Sequence, residues 1–126
     1  MKLRKLDCRN CAVKTLNELR GLSQLELLDV SGNLLSNLDE SLDALCHLQS
    51  LRHLDMYDNP ICRDNCYFGR VLEATLSHHL LYLDCRDVEE GEYRAVLAVV
   101  NGEVVPEDCE NYSKVIGLSS LLRLAI

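Results

Sequence analysis

The chain has 126 residues, of which 48% are apolar, and a formal net charge of −7 at pH 7. This length predicts a single domain, and the longest apolar run, residues 95–100, is too short to span a bilayer. The acidic balance argues against direct nucleic-acid binding, because such binding needs Lys and Arg side chains that neutralise phosphates.

The cysteines and the first residues indicate a cellular compartment. Seven cysteines are an odd number, which argues against a complete set of disulfides. The apolar stretch that a secretory signal needs after Met1 is interrupted by Asp7, Arg9 and Asn10. We therefore expect reduced thiols and an intracellular protein, cytoplasmic or nuclear.

A leucine pattern of the form LxxLxLxxNxL recurs along the chain. Its copies begin at Leu3, Leu25, Leu51 and Leu80, in steps of 22, 26 and 29 residues. The alternating apolar residues predict a short strand, and the Asn suits the turn that follows because its side chain bonds backbone groups. This is the signature of a leucine-rich repeat. The structural position at its end is held by Cys11, Asn33 and Asn59.

The connections between these strands carry a leucine at every third residue. A period of three predicts 3₁₀ or short helical turns better than a long α-helix, whose period is 3.6. Stacked repeats bury one continuous core. We therefore predict an α/β leucine-rich-repeat solenoid, with a curved parallel sheet of about four strands on the concave side and short turns on the convex side. No capping pattern precedes Leu3, so the first strand is expected to form an open edge.

The end of the repeats resembles the C-terminal cap of the short intracellular leucine-rich-repeat proteins of the 22-residue class. The residues that carry the resemblance are Asn59, Pro60, Tyr67, Val71, Leu72, Leu76, residues 80–84 and Val88. The resemblance implies a cap helix over about residues 65–76, followed by a last strand. It covers residues 3–88, so we assign residues 1–88 to repeats and cap, and 89–126 to an extension. Family members of the protein-phosphatase-1 regulator, spliceosomal A-prime and acidic nuclear phosphoprotein types are binding modules without catalytic residues.

Side chains between the buried leucines of such a sheet point to its concave face. Alignment of the four predicted strands places Asp7, Asp29, Asp55 and Asp84 in one column. One interpretation is a solvated acidic stripe without a ligand. The other is a site for a basic or amphipathic segment of a protein partner, formed by the stripe and its neighbours. Those neighbours are Leu27, His53, Tyr57, Tyr82 and Arg86.

Metal binding and catalysis have weaker support. Cys8 and Cys11, and likewise Cys62 and Cys66, have ligand-like spacing, but the repeat pattern already explains the first pair. The chain has no glycine-rich phosphate loop, no HExxH and no GxSxG motif. We expect no catalytic residue, no metal and no cofactor.

The extension after Val88 allows two interpretations. Residues 89–92 suit the start of a helix, whereas valine-rich arms around Asn101-Gly102 favour a β-hairpin over residues 95–105, which we prefer. Pro106 then predicts a helix over residues 107–125. We expect the extension to pack on the repeats. The alternative is self-association, through the apolar end of the chain or through the open edge at Leu3.

The sequence therefore predicts a non-enzymatic protein–protein interaction module, a scaffold or adaptor that binds its partner on the concave sheet. Two alternatives stay open on the basis of the resemblance. One is a chaperone-like or phosphatase-regulatory role similar to that of the acidic nuclear phosphoproteins. The other is a structural subunit of an RNA–protein or axonemal complex.

Overall fold

A computed structural model of the chain describes residues 2–102, which contain one sheet and three α-helices. Strands β1 to β4 run parallel, and β5 is antiparallel to β4, in the spatial order β1-β2-β3-β4-β5. The strands are β1 Lys5–Asp7, β2 Leu27–Asp29, β3 His53–Asp55, β4 Tyr82–Leu83 and β5 Arg86–Asp87. The predicted α/β class is confirmed, with one strand more than the predicted four.

The helices follow the strands in the connections. They are α1 Leu38–Cys46, α2 Tyr67–Ala74 and α3 Glu90–Val100, with 3₁₀ turns at Asn17–Leu19 and Pro60–Arg63. The leucine period of three predicted such short elements, and α2 lies within the segment predicted as the cap helix. None of the helices between residues 2 and 102 has the length and apolar character that crossing a bilayer requires.

The repeated leucines form the core beneath the sheet. The core-facing leucines of β2, β3 and β4 and those preceding these strands are at most 1% exposed: Leu25, Leu28, Leu51, Leu54, Leu80 and Leu83. Burial of each side chain contributes about 1.5–3 kcal/mol relative to an exposed one, so this row is a main source of stability. The equivalent side chains at β1, Leu3 and Leu6, are only partly buried.

Two asparagines join the turns that follow the strands. Asn33 Oδ1 accepts from the N–H groups of Cys11 and Val13, while Nδ2 donates to the carbonyls of Cys8 and Val30. Asn59 repeats this arrangement one strand further along. Both side chains thus bond the backbone of two neighbouring turns. Cys11, which holds the equivalent position in the first repeat, differs from the two asparagines, since its exposed thiol donates to the carbonyl of Arg9, at 3.2 Å, and bonds no second turn within residues 2–102.

The predicted β-hairpin over residues 95–105 is wrong for its first arm, because residues 95–100 lie in α3. Glu89 and Glu92 form a capping box that begins the helix. Asn101-Gly102 ends it: Gly102 has φ +76°, and its N–H bonds the carbonyl of Val99. The dipeptide therefore terminates a helix rather than forming a hairpin turn. The second arm and the helix predicted over residues 107–125 lie outside the described residues.

Helix α3 packs against α2 through its apolar face. Tyr93, Val96 and Val99 are at most 1% exposed. The Tyr93 hydroxyl lies 2.7 Å from the Thr75 hydroxyl and accepts from the Leu80 N–H at 2.8 Å. The first part of the extension thus shares the core of the preceding residues.

Replacing Tyr93 by phenylalanine is expected to lower the free energy of unfolding by about 2 kcal/mol, because the buried Leu80 N–H loses its acceptor. Urea unfolding of the full chain measures this difference. Arg94→Ala, an exposed change on the same helix, is the control and should stay within about 0.5 kcal/mol of the parent. Equal effects of both changes would show that the hydroxyl does not stabilise the junction.

Candidate functional site

The candidate site is the solvent-facing side of the sheet, where one row of paired residues crosses four strands. Lys5 pairs with Leu27, Leu27 with His53, and His53 with Tyr82. Two positions further along the strands, Asp7 pairs with Asp29 and Asp29 with Asp55. The leucines fix this register, since a shift of one residue would turn the apolar side chains to solvent. Three members of the predicted column, Asp7, Asp29 and Asp55, therefore lie side by side across β1, β2 and β3.

Asp7 and Asp29 share one cation, Arg9. The Arg9 guanidinium donates to both oxygens of Asp7, from Nε to Oδ1 and from Nη2 to Oδ2, and lies 3.7 Å from Asp29 Oδ2. This contact lowers the pKa of Asp7 below its ordinary value. Asp29 also accepts from the N–H and the hydroxyl of Ser31. Arg9 therefore offsets part of the negative charge at this end of the acidic column, a pairing that the strand alignment did not predict, although Arg9 lies two residues after Asp7.

Asp55 is the member of the column with an unsatisfied carboxylate. Its side chain is 13% exposed, and its Oδ1 is buried without a hydrogen-bond partner among residues 2–102. The other oxygen, Oδ2, lies 3.3 Å from His53 Nε2. A buried carboxylate oxygen without a donor is costly, so a further hydrogen-bond donor at the Asp55 carboxylate would be stabilising.

An aromatic pair lies beside Asp55. The rings of His53 and Tyr82 stack with centroids 4.2 Å apart and an angle of 21° between their planes. Leu27 precedes His53 in the same row, and Tyr57 follows Asp55 with 36% of its surface exposed. The site thus combines one carboxylate, a stacked pair of rings and further apolar surface within a few neighbouring positions.

Asp84 departs from the predicted column. It has φ +49° and the next residue, Cys85, has φ +68°, so the chain turns there from β4 into β5. The Asp84 carboxylate accepts from the Met56 N–H at 2.7 Å and from the Tyr67 hydroxyl at 2.6 Å. It connects β3 to α2 instead of extending the exposed stripe.

Arg86 is also occupied within the fold. Its guanidinium lies over the ring of Phe68, 4.1 Å from the centroid, and pairs with Glu92. It therefore links β5 to α2 and α3. The residues predicted for partner binding divide into a group around Asp55 and a structural pair, Asp84 and Arg86.

Burial raises the pKa of Asp84 above 3.8, and this effect exceeds that of its hydrogen bonds from Met56 and Tyr67, which lower it. The folded chain therefore holds this proton more tightly than the unfolded chain. As pH rises from 3.8 through the folded pKa, the parent should lose stability relative to Asp84→Asn, which has no such titration. Urea unfolding at a series of pH values measures this. A constant difference across the series would contradict a raised pKa.

Other chemical groups lie away from this face. An open cavity of about 480 Å³ is lined by Asn33, Asp58, Asn59, Pro60, Cys62 and Arg63, and the amides of its two asparagines already bond backbone. Between residues 2 and 102, no three side chains of His, Cys, Asp or Glu are grouped to hold a metal ion. Within that part of the chain, Cys8, Cys62 and Cys66 form no disulfide.

No protein-family model matches this chain, and no curated protein matches it significantly. The arrangement of its own residues is therefore the basis for assigning a function.

Proposed function

We propose that the chain is a leucine-rich-repeat solenoid that works as a non-enzymatic interaction module and binds a basic or amphipathic protein segment on the solvent-facing sheet. The repeated strand positions, the buried leucines and the asparagine-linked turns support this fold. The described cysteines form no disulfide with one another, which suits a cytoplasmic or nuclear location.

The observation that carries the proposal is the Asp55 carboxylate, which is 13% exposed and whose Oδ1 has no hydrogen-bond partner among residues 2–102, beside the stacked rings of His53 and Tyr82. A guanidinium is the donor that matches this pair of features, because its N–H groups bond a carboxylate while its plane packs on an aromatic ring. An ammonium satisfies the carboxylate but stacks less well. We therefore assign Asp55 as the anchor for an arginine of the partner.

The surroundings of Asp55 favour an amphipathic segment over an isolated cation. Leu27 and Tyr57 lie on either side of the aspartate column, and both are partly exposed. Apolar side chains of a partner that contact them would gain burial, while Asp29 adds negative charge next to the anchor. The site thus takes a short segment that carries arginine on one side and apolar residues beside it.

Affinity capture tests this function. The full chain is used as bait in a cell lysate, and bound proteins are compared with those held by Asp29→Lys/Asp55→Lys. The control, Glu18→Lys/Asp39→Lys, has the same net charge but places its lysines in the connections.

We expect a partner that the parent and the control enrich equally and that the sheet variant loses by about tenfold or more. Asp55→Asn, which keeps the side-chain shape, should show a smaller loss in the same direction. Equal capture by all four proteins would exclude the sheet as the binding site, and circular dichroism establishes that each variant is folded.

A further inference from the structure

The outer edge of β1 differs from every other strand edge between β1 and β4. In a parallel pair, alternate residues direct their backbone groups to the same neighbour. The Arg4 carbonyl accepts from Leu27 and the Cys8 N–H donates to Asp29, so even-numbered residues face β2. The backbone groups of Lys5 and Asp7 therefore face outward, where no strand among residues 2–102 pairs with them.

The end of this edge is closed by local contacts. The Arg9 N–H donates to Asp7 Oδ1 at 3.1 Å, and its carbonyl accepts from the Cys11 thiol at 3.2 Å. The open part is thus a short strand edge centred on Lys5 and Asp7. It has the length that one added strand of a few residues would pair with.

Apolar side chains lie behind this edge without full cover. Leu3, Leu6, Cys8 and Val13 are partly buried. Their counterparts one strand further along are fully buried: Leu25, Leu28, Val30 and Leu35 are 0% exposed. An added strand with apolar residues on its core side would cover Leu3 and Leu6, just as β1 covers Leu25 and Leu28.

The charge of this edge is the reverse of that of the whole chain. Every lysine between residues 2 and 102 lies within residues 2–14: Lys2, Lys5 and Lys14. All three are exposed, and no ion pair joins them to another described residue. Lys2 and Lys5 lie in or next to β1. An edge bearing unpaired ammonium groups on a chain of net charge −7 favours an acidic strand.

We propose that β1 is a second binding surface, which takes an extended acidic segment of another protein as an additional strand. Main-chain hydrogen bonds to Lys5 and Asp7 supply the pairing, carboxylates of the segment pair with Lys2 and Lys5, and its alternate apolar residues cover Leu3 and Leu6. This surface is separate from the carboxylate site at Asp55, and the two would bind segments of opposite charge.

A second copy of this chain is the weaker occupant. Pairing of two β1 edges would bring the same lysines together, and lysines on an edge strand oppose such association. An acidic segment removes that repulsion. The lysines therefore favour an acidic segment over a second copy of the chain, and binding measurements can compare the two.

The test measures binding of fluorescein-labelled peptides to the full chain by fluorescence anisotropy. The probe is an acetylated and amidated peptide of alternating glutamate and valine. In the first control peptide, lysine replaces each glutamate. The second control peptide carries N-methyl groups on alternate residues, which keeps its charge but removes the N–H donors of one side.

The protein variants are Lys2→Glu/Lys5→Glu and, as a matched control, Arg63→Glu/Arg94→Glu. The control makes the same change of net charge at exposed arginines outside β1. We expect the acidic probe to bind the parent and the control equally, and to bind the lysine variant about tenfold more weakly, since two exposed charge pairs reverse. The lysine peptide and the N-methylated peptide should bind the parent at least about tenfold more weakly than the acidic probe does.

Three results would overturn the proposal. Equal binding of the acidic and N-methylated probes would show attraction by charge without strand addition. Equal loss in both variants would show a general charge effect. Absence of probe binding to the parent would exclude the acidic segment, and a dimer seen by sedimentation that Lys2→Glu/Lys5→Glu alters would then assign the edge to a second copy.

Discussion

Replacing Asn59 by alanine is expected to lower the free energy of unfolding by about 3 kcal/mol, because several buried backbone groups lose their partner at once. Asn59 is 5% exposed. Its Oδ1 accepts from the Leu35 N–H at 3.0 Å, and its Nδ2 donates to the carbonyls of Val30 and Met56 at 3.0 and 2.8 Å. The side chain thus bonds the backbone that follows β2 as well as the backbone that follows β3.

Urea unfolding of the full chain measures the effect of Asn59→Ala, with Asn37→Ala as the comparison. Asn37 is exposed and caps α1 through one hydrogen bond, from the Glu40 N–H at 3.1 Å. Its loss should cost about 1 kcal/mol. If the two variants lost the same free energy of unfolding, the asparagine contacts between neighbouring turns would not be a main source of stability.

Replacing Tyr82 by alanine is expected to weaken binding of the captured partner by about thirtyfold, which corresponds to about 2 kcal/mol. The ring stacks on His53 at 4.2 Å and thereby holds the imidazole beside Asp55. Its removal takes away both an apolar contact for the partner and the support of its neighbour. Titration calorimetry with the purified partner measures the change.

Two further variants separate this role from general apolar contact. Tyr82→Phe retains the stacked ring and should bind within about threefold of the parent. Leu97→Ala removes an apolar side chain that is 48% exposed on α3 and should not change the affinity. A loss in Leu97→Ala as large as that in Tyr82→Ala would place the partner on the helices instead of the sheet.

The strands and their register could be predicted from sequence because leucine spacing determines both. The positions of Leu28, Leu54 and Leu83 allow one alignment that buries all of them, and this alignment sets the rows on the opposite face. The same periodic signal located Asn33 and Asn59. Regular patterns of this kind predict the course of the backbone and the side chains that are buried beneath the sheet.

Residues 95–102 were harder to predict because the same residues suit two structures. Valines around Asn101-Gly102 satisfy the pattern of a hairpin and also the C-terminus of a helix. The contacts of Tyr93 with Thr75 and Leu80 decide for the helix, and they depend on residues more than ten positions away. A local pattern does not contain that information.

Alignment of the strands likewise could not predict which aspartates of the sheet are paired with other side chains. The column of aspartates predicted equivalent residues, yet Asp7 and Asp29 share Arg9, and Asp84 bonds Tyr67. Only the three-dimensional contacts distinguish Asp55 from the other three. Side-chain pairing depends on irregular positions such as the turn at Asp84, where the repeat no longer holds.

The most direct test of the proposed function is to map the partner's footprint on the full chain by NMR. Backbone amide signals are compared before and after addition of the captured partner. We predict the largest changes at Leu27, His53, Asp55 and Tyr82, with the exposed sides of α1 and α2 unaffected. Changes confined to α1 and α2, with these four signals unmoved, would contradict binding on the sheet.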